Sequence, residues 1–208
     1  MKLKIFTVLL FVIAFLSACG GSKPVSKNSV APEIKKGVKP VADPEIAVIE
    51  MENSAAYGTI KIELYSNIAP KMVAQFKELA KAGVYDGTTF HRINDTVIQG
   101  GDPLSKDDDP TNDGTGHSDK PNVPAEFSDI PYDTGIVGAA RSQSPDSANS
   151  QFFIMLKPEP RFDGKYTVFG KVIDGMNNVR TISGVQPKEG ERPVEPVRIK
   201  KITIEPRN

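Results

Sequence analysis

Few side chains in this chain could do chemistry, and most arrangements that would identify a reaction are missing. Two histidines, His91 and His117, and one cysteine, Cys19, stand among 208 residues. A single cysteine allows no intramolecular disulfide and no thiolate metal cluster. The acidic run Asp107-Asp108-Asp109, with Asp113, fails the spacing of a calcium loop. Thr111 takes the third position of a loop begun at Asp109, and Lys120 stands where the closing glutamate belongs. The run therefore reads as solvated loop. The histidines and aspartates have no clustered ligand spacing, so no metal and no cofactor is expected. Ser142-Gln143-Ser144 lacks the flanking glycines of a nucleophile elbow. What remains is an arginine in Phe90-His91-Arg92-Ile93 and polar and aromatic residues in three later blocks. These are Gln99-Gly100-Gly101-Asp102, Ser150-Gln151-Phe152-Phe153-Ile154, and the run from Phe162-Asp163-Gly164-Lys165-Tyr166 through Val172.

The elements that must position these blocks are mostly short strands. Ile46, Val48 and Met51 are apolar around Ala47 and Glu50, and Ile60, Ile62 and Leu64 alternate with Lys61 and Glu63. Asn53 to Gly58, between them, reads as a hairpin turn. A helix follows, with Pro70 in its first turn, Met72, Val73, Phe76, Leu79 and Ala80 on one face, and Gly83 placed to end it. Residues 88–101 read as short strands, and 102–131, rich in Asp, Pro, Gly and Asn, as loop. Further strands are expected at 136–141, 151–156, 166–173 and 197–205, with a short helix near 175–181. In Phe152-Phe153, alternation puts the two rings on opposite faces, with Phe152 in the core. Many short strands and few helices argue for a barrel or sandwich with helical caps.

Outside these elements the chain carries a different signal. Lys2 and Lys4 precede an apolar run from Ile5 to Leu16, then come the small residues Ser17 and Ala18. This is the layout of a secretory signal peptide over residues 1–18, too short for an ordinary membrane span. The tetrad Leu16-Ser17-Ala18-Cys19, before Gly20-Gly21, resembles the bacterial lipoprotein signal. That resemblance implies that Cys19 is acylated and becomes the new N-terminus, and two or more acyl chains anchor stably where one is marginal. Residues 20–43, rich in Ser, Lys, Pro, Gly and Val without periodicity, read as a flexible tether. A folded domain would then occupy residues 44–208. Lys plus Arg and Asp plus Glu balance at 26 each, so the basic excess that draws a protein to nucleic acid is absent.

The four blocks, in this order, resemble the successive signatures of cyclophilins, and the resemblance extends over roughly residues 46–206. It implies a mainly β fold, a closed eight-stranded antiparallel barrel capped by two helices, with a groove on its outer face. By the same resemblance Arg92 aims its guanidinium at the prolyl nitrogen and adjacent carbonyl of a substrate, Gln99 hydrogen-bonds the substrate backbone, and Phe153 floors the pocket that grips the proline ring. Val97, Phe162 and Tyr166 match positions lining that pocket. Gln151, with Arg141, Ser142 and Gln143, matches the wall along which the peptide lies. His91 is structural, since rotation about a C–N bond needs no proton transfer. Two departures stand out. Thr96 falls where a phenylalanine commonly encloses the proline, and Arg161 where some members carry tryptophan.

The implied activity is peptidyl-prolyl cis-trans isomerisation. The expected partners are proline-containing segments of exported proteins and, through Cys19, a membrane, either the cell membrane or an outer membrane. The chain is expected to act as a monomer. Thr96 leaves open a second reading, a low-activity proline-peptide binding module or holdase.

Overall fold

Strict alternation in Thr59–Leu64 sends Ile60, Ile62 and Leu64 to one side, and all three are fully buried there. The sheet that grows around this strand organises the rest of the chain. The computed structural model describes residues 32–186 and 188–207, so the signal segment and Cys19 lie outside the described residues. In chain order the elements are β1 Ile34–Lys35, β2 Glu45–Met51, α1 Ser54–Tyr57, β3 Thr59–Leu64, α2 Pro70–Lys81, β4 Arg92–Ile93, β5 Val97–Gly100, β6 Phe127–Ser128, β7 Ile136–Ala139, β8 Phe152–Met155, β9 Val168–Asp174, α3 Met176–Ser183, β10 Lys188–Glu189, β11 Arg192–Pro193 and β12 Ile199–Pro206.

Eight of the strands form one antiparallel sheet in the order β12-β2-β3-β9-β7-β8-β5-β4. The expectation of a closed barrel is corrected here. The end strands β4 and β12 are not paired with each other, and the sheet curls into an open half-barrel. The two edges meet at the approach to β4, through the isolated bridge Thr89↔Arg198 and the bonds from Phe90 N to Val197 O (3.0 Å), Gly87 N to Ile199 O (2.9 Å) and Ile199 N to Thr88 O (2.7 Å). The second side of the two-residue β4 is met instead by the β10–β11 hairpin, where Ile93 N donates to Glu191 O at 2.6 Å.

The helices also differ from expectation, three rather than two among the described residues. Asn53–Gly58 is not a bare hairpin turn but a single helical turn, α1, whose N-cap Asn53 accepts from Ala56 N at 3.3 Å. In α2 the apolar stripe Met72, Val73, Phe76, Leu79 and Ala80 is buried as its spacing predicts. Its N-cap, Ala69, offers no side-chain acceptor. The carboxylate of Glu126 takes that role from afar, accepting from Lys71 N at 3.2 Å and Met72 N at 2.9 Å.

Two further corrections come from packing. In β2, Ala47, Ile49 and Met51 face the main core; of the apolar set expected there only Met51 is among them, and Ile46 and Val48 cover the other side. Both faces of this strand are buried, so alternation carried little information there. The second concerns residues 34–43, read from composition as tether. β1 pairs in parallel with β6, Lys35 Nζ donates to Ile68 O at 2.6 Å, and Val41 N donates to Asn67 Oδ1 at 3.0 Å.

Asp43 fastens the end of this segment. Its carboxylate accepts from Ser66 N (3.0 Å), Ser66 Oγ (2.6 Å) and the Lys77 ammonium (2.6 Å), in a buried setting. Burial opposes ionisation of Asp43, but Lys77 and Ser66 outweigh it and hold the carboxyl below its ordinary value of 3.8. A folded value below the unfolded one means that this stabilisation is complete above pH 3.8 and disappears as pH falls through the depressed folded value. Asp43→Asn is expected to lower stability by about 1.5–3 kcal/mol at pH 7 and to remove this acid-sensitive component. Denaturant midpoints measured from pH 7 downward check this, and an unchanged midpoint at pH 7 would exclude it.

Candidate active-site groove

Antiparallel register brings the chemistry-bearing residues into one row. Arg92 on β4 lies opposite Gln99 on β5, Gln99 opposite Phe153 on β8, and Phe153 opposite Gly138 on β7. Residues directly opposite in a sheet share a face, so these four side-chain positions lie together on the outer side. Ile98, Phe152 and Ile154 alternate inward to the main core.

Phe153 is buried beneath a second, smaller apolar cluster that includes Val97, Tyr132, Met155 and Val168. Its ring packs edge-on against Phe162 (centroids 5.7 Å) and Tyr166 (5.6 Å), and nearly parallel to Tyr132 (5.8 Å). Gly138 makes that position possible. A Cβ there would sit 2.4 Å from Phe153 Cζ and 2.8 Å from the Tyr132 hydroxyl. Phe162 and Tyr166 are partly exposed at the edge of the cluster, and the Arg141 guanidinium lies over the Tyr166 ring, 4.6 Å from its centroid.

A polar chain runs beside this apolar patch. Glu191 accepts from Arg92 Nε at 2.5 Å, and Arg92 Nη1 donates to Gln99 Oε1 at 3.3 Å. Gln99 Nε2 donates to Gln151 Oε1 at 3.0 Å, and Gln151 Nε2 donates to the carbonyls of Gly116 (2.8 Å) and Gly114 (3.1 Å). The loop carrying those carbonyls is itself held by Asp102, fully buried, which accepts from Leu104 N, Gly114 N and Gly116 N. Every amide is thus oriented by its neighbours, and Arg92 is fixed from both sides.

Two hollows open along this row and share Arg141. One, of about 350 Å³, is lined by Arg92, Thr96, Val97, Arg141, Phe162 and Tyr166, with Arg161 at its rim. The other, of about 290 Å³, is lined by residues including Gln99, Gln151, Ser142 and Asn149. Both have mixed linings; the first has an aromatic wall, Phe162 and Tyr166, set among charged and polar side chains that also include Asn94, Glu159 and Lys165. A third hollow of about 280 Å³, against His91 and Arg192, shares no lining residue with either. His91 is buried, and burial lowers its pKa, which favours a neutral ring.

The residues singled out from the sequence are largely brought together, with four qualifications. Phe153 is almost wholly buried and lines neither hollow itself; it backs Phe162 and Tyr166, which do. Gln143 lines neither hollow; it is exposed, and its carbonyl accepts from Arg141 Nη1 at 3.4 Å. Arg161 turns its guanidinium to Glu159, at 2.8 and 2.7 Å, and that pairing holds the Glu159 carboxyl down at about 2. Thr96 sits in a tight turn in which Asn94 Oδ1 accepts from both Thr96 N and Val97 N at 2.9 Å. Sequence reasoning missed Glu191, Tyr132 and Gly138. Only Gly138 carried a local signal, a glycine inside a strand, which marks close approach.

Comparison with known proteins agrees with this geometry. Residues 48–204 match the family described as cyclophilin type peptidyl-prolyl cis-trans isomerase/CLD. A probable peptidyl-prolyl cis-trans isomerase of Brucella suis is 45% identical over 169 residues, covering 79% of this chain and 85% of that protein. The peptidyl-prolyl cis-trans isomerase-like 1 of Mus musculus is 39% identical over 150 residues, 69% of this chain and 85% of that one. Among solved structures, a cyclophilin type isomerase of Cryptosporidium parvum, crystallised in the presence of the dipeptide Ala-Pro, superposes with a TM-score of 0.69 at 30% identity. That alignment covers 78% of this chain and 99% of the other.

Proposed function

The chain belongs to the cyclophilin-type family and is a peptidyl-prolyl cis-trans isomerase, and from that premise we propose that it turns X–Pro bonds of exported proteins at a membrane surface, using the groove between Arg92 and Phe153. The observation that supports this most is the row Arg92, Gln99, Phe153 across adjacent strands, which sets a fixed cation beside a hollow with an aromatic wall.

Rotation about an amide C–N bond is opposed by about 18–20 kcal/mol, because the nitrogen lone pair is delocalised into the carbonyl. A proline ring seated on Phe153, between Phe162 and Tyr166, leaves its nitrogen at the Arg92 side of the groove. As the bond twists, the lone pair localises on nitrogen, and the guanidinium stabilises that electron density more than it stabilises either planar form. Gln99 and Gln151 hold the flanking backbone through amide groups already oriented by their own hydrogen bonds. The proline stays put while the acyl side turns. No bond is made or broken, and no proton moves.

Uncatalysed isomerisation takes tens to hundreds of seconds, long enough to limit folding of a newly exported chain. Line-shape or exchange NMR on a proline-containing peptide, with the purified full-length protein, tests the groove. Accelerated exchange that is competed by an Ala-Pro peptide is expected, and binding without acceleration would turn the reading into one of a binding module.

The membrane location rests on the Leu16-Ser17-Ala18-Cys19 tetrad. Among the described residues no helix is long and apolar enough to cross a membrane. Cys19→Ser is expected to move the protein from the membrane fraction to the soluble one, or to block its maturation. A Cys19→Ser protein that still sediments with membranes after a high-salt wash would count against lipidation.

A further inference from the structure

The Arg92 side chain is met by a glutamate from 99 residues away in sequence, at the tip of the β10–β11 hairpin. Lys188 pairs with Pro193 and Glu189 with Arg192, which leaves Gly190 and Glu191 as the two turn residues. Gly190 has φ of 63°, and among the described residues none other than glycine has positive φ, so Glu191 does not, the II′ pattern of a tight hairpin. The tip is docked against β4 by its backbone, since Glu191 O accepts from Ile93 N at 2.6 Å. Both carboxylate oxygens are then used: Oε2 accepts from Arg92 Nε at 2.5 Å and Oε1 from Asn94 Nδ2 at 2.9 Å.

We infer that Glu191 is a positioning residue for Arg92, a second support that fixes the guanidinium for catalysis. Isolated surface ion pairs do little, because two long side chains must be ordered for one contact. Here the glutamate is held at two points besides the arginine, its backbone carbonyl by Ile93 N and its carboxylate by Asn94 Nδ2, so part of that ordering is already supplied by the docked hairpin. It also binds at Nε. Nη1 is left to Gln99, and Nη2 takes part in neither bond. The planar fork is thereby pinned at one edge by Glu191 and at one corner by Gln99, on a residue that itself lines the hollow. The carboxylate withdraws some positive charge, and it returns orientation, which a rate set by where a guanidinium points needs more.

The inference rests on the role given above to Arg92, so the test carries an Arg92 arm. Exchange NMR on a proline-containing peptide would be run with the full-length protein and with Glu191→Ala, Glu191→Gln and Arg92→Ala. Glu191→Ala is expected to lower kcat about tenfold with KM changed less than twofold, because the lost alignment acts on the twisted state. Glu191→Gln keeps an acceptor without charge and is expected to recover most of that loss. In Glu191→Ala the Arg92 Nε–H resonance, assigned by its disappearance in Arg92→Ala, should lose its downfield shift and exchange faster with water. The backbone bond to Ile93 survives both substitutions, and unfolding curves check that the hairpin stays docked. A folded Glu191→Ala protein with unchanged or higher kcat overturns the inference while a crippled Arg92→Ala leaves the groove reading standing. Equal losses in the Ala and Gln variants also overturn it, since charge rather than orientation would then matter. Near-normal turnover in Arg92→Ala overturns both.

Discussion

Replacing Arg92 by alanine should lower kcat/KM by about 10²–10³, the range for removing one donor aimed at charge that develops in a transition state. The fold should survive, because the Arg92 side chain is about half exposed and belongs to neither apolar cluster. Its place in the sheet is held by the backbone pairing of Arg92 with Gln99. Arg92→Lys is the sharper probe. Lysine keeps the charge but not the fork, so it cannot bond Glu191 through Nε and Gln99 through Nη1 together, and it should restore little of the lost rate. Exchange NMR gives the rate and thermal unfolding the control. A folded Arg92→Ala protein turning over at near-normal speed would remove Arg92 from the mechanism.

What could be read from the sequence divides along a physical line. Arg92, Gln99, Phe153, Phe162 and Tyr166 were legible because each sits in a contiguous block, where residue type and neighbours are one signal. β3 was legible because one of its faces is less buried, and Lys61 and Glu63 record that. β2 is apolar on both faces, and its phase was lost with the polar markers. Closure of the barrel was overstated because it depends on whether a two-residue strand, β4, can pair on its second side, which no periodicity encodes. The segment 34–43 has the composition of a linker; hydrogen bonds donated by Lys35 and Val41 and accepted by Asp43, with partners 23 to 34 positions away, fasten it. Glu191 is the extreme case. Within Lys-Glu-Gly-Glu-Arg it is one charge among several, and only the docking of the hairpin on β4 gives it a partner. The site was thus legible in its strands and hidden in its supports.

Phe153→Ala is expected to have the other large effect, on stability and on substrate binding together. The ring is almost wholly buried and touches Tyr132, Phe162 and Tyr166, so its removal should cost about 3–5 kcal/mol, a transfer loss plus a cavity that the rigid strands β7 and β5 cannot collapse to fill. Loss of the pocket floor should also raise KM, by an amount corresponding to about 1–3 kcal/mol of apolar contact with the proline ring. Gly138 supplies the control. In the native protein Gly138→Ala must drive its Cβ against Phe153 Cζ, a contact of 2.4 Å that cannot stand, so the substitution should destabilise and tilt the ring into the groove. With Phe153 already alanine, the two ring contacts at 2.4 and 2.8 Å are gone, and of the three nearest atoms only the Tyr132 hydroxyl, at the free end of a side chain, remains. Gly138→Ala should therefore cost much less in the Phe153→Ala background than alone, a coupling of the kind expected for residues in direct contact. Denaturant unfolding of the four proteins of the cycle measures it. Strict additivity would mean that Gly138 does not make room for the floor of the pocket, and a Phe153→Ala protein of native stability and native KM would mean that Phe153 is not that floor.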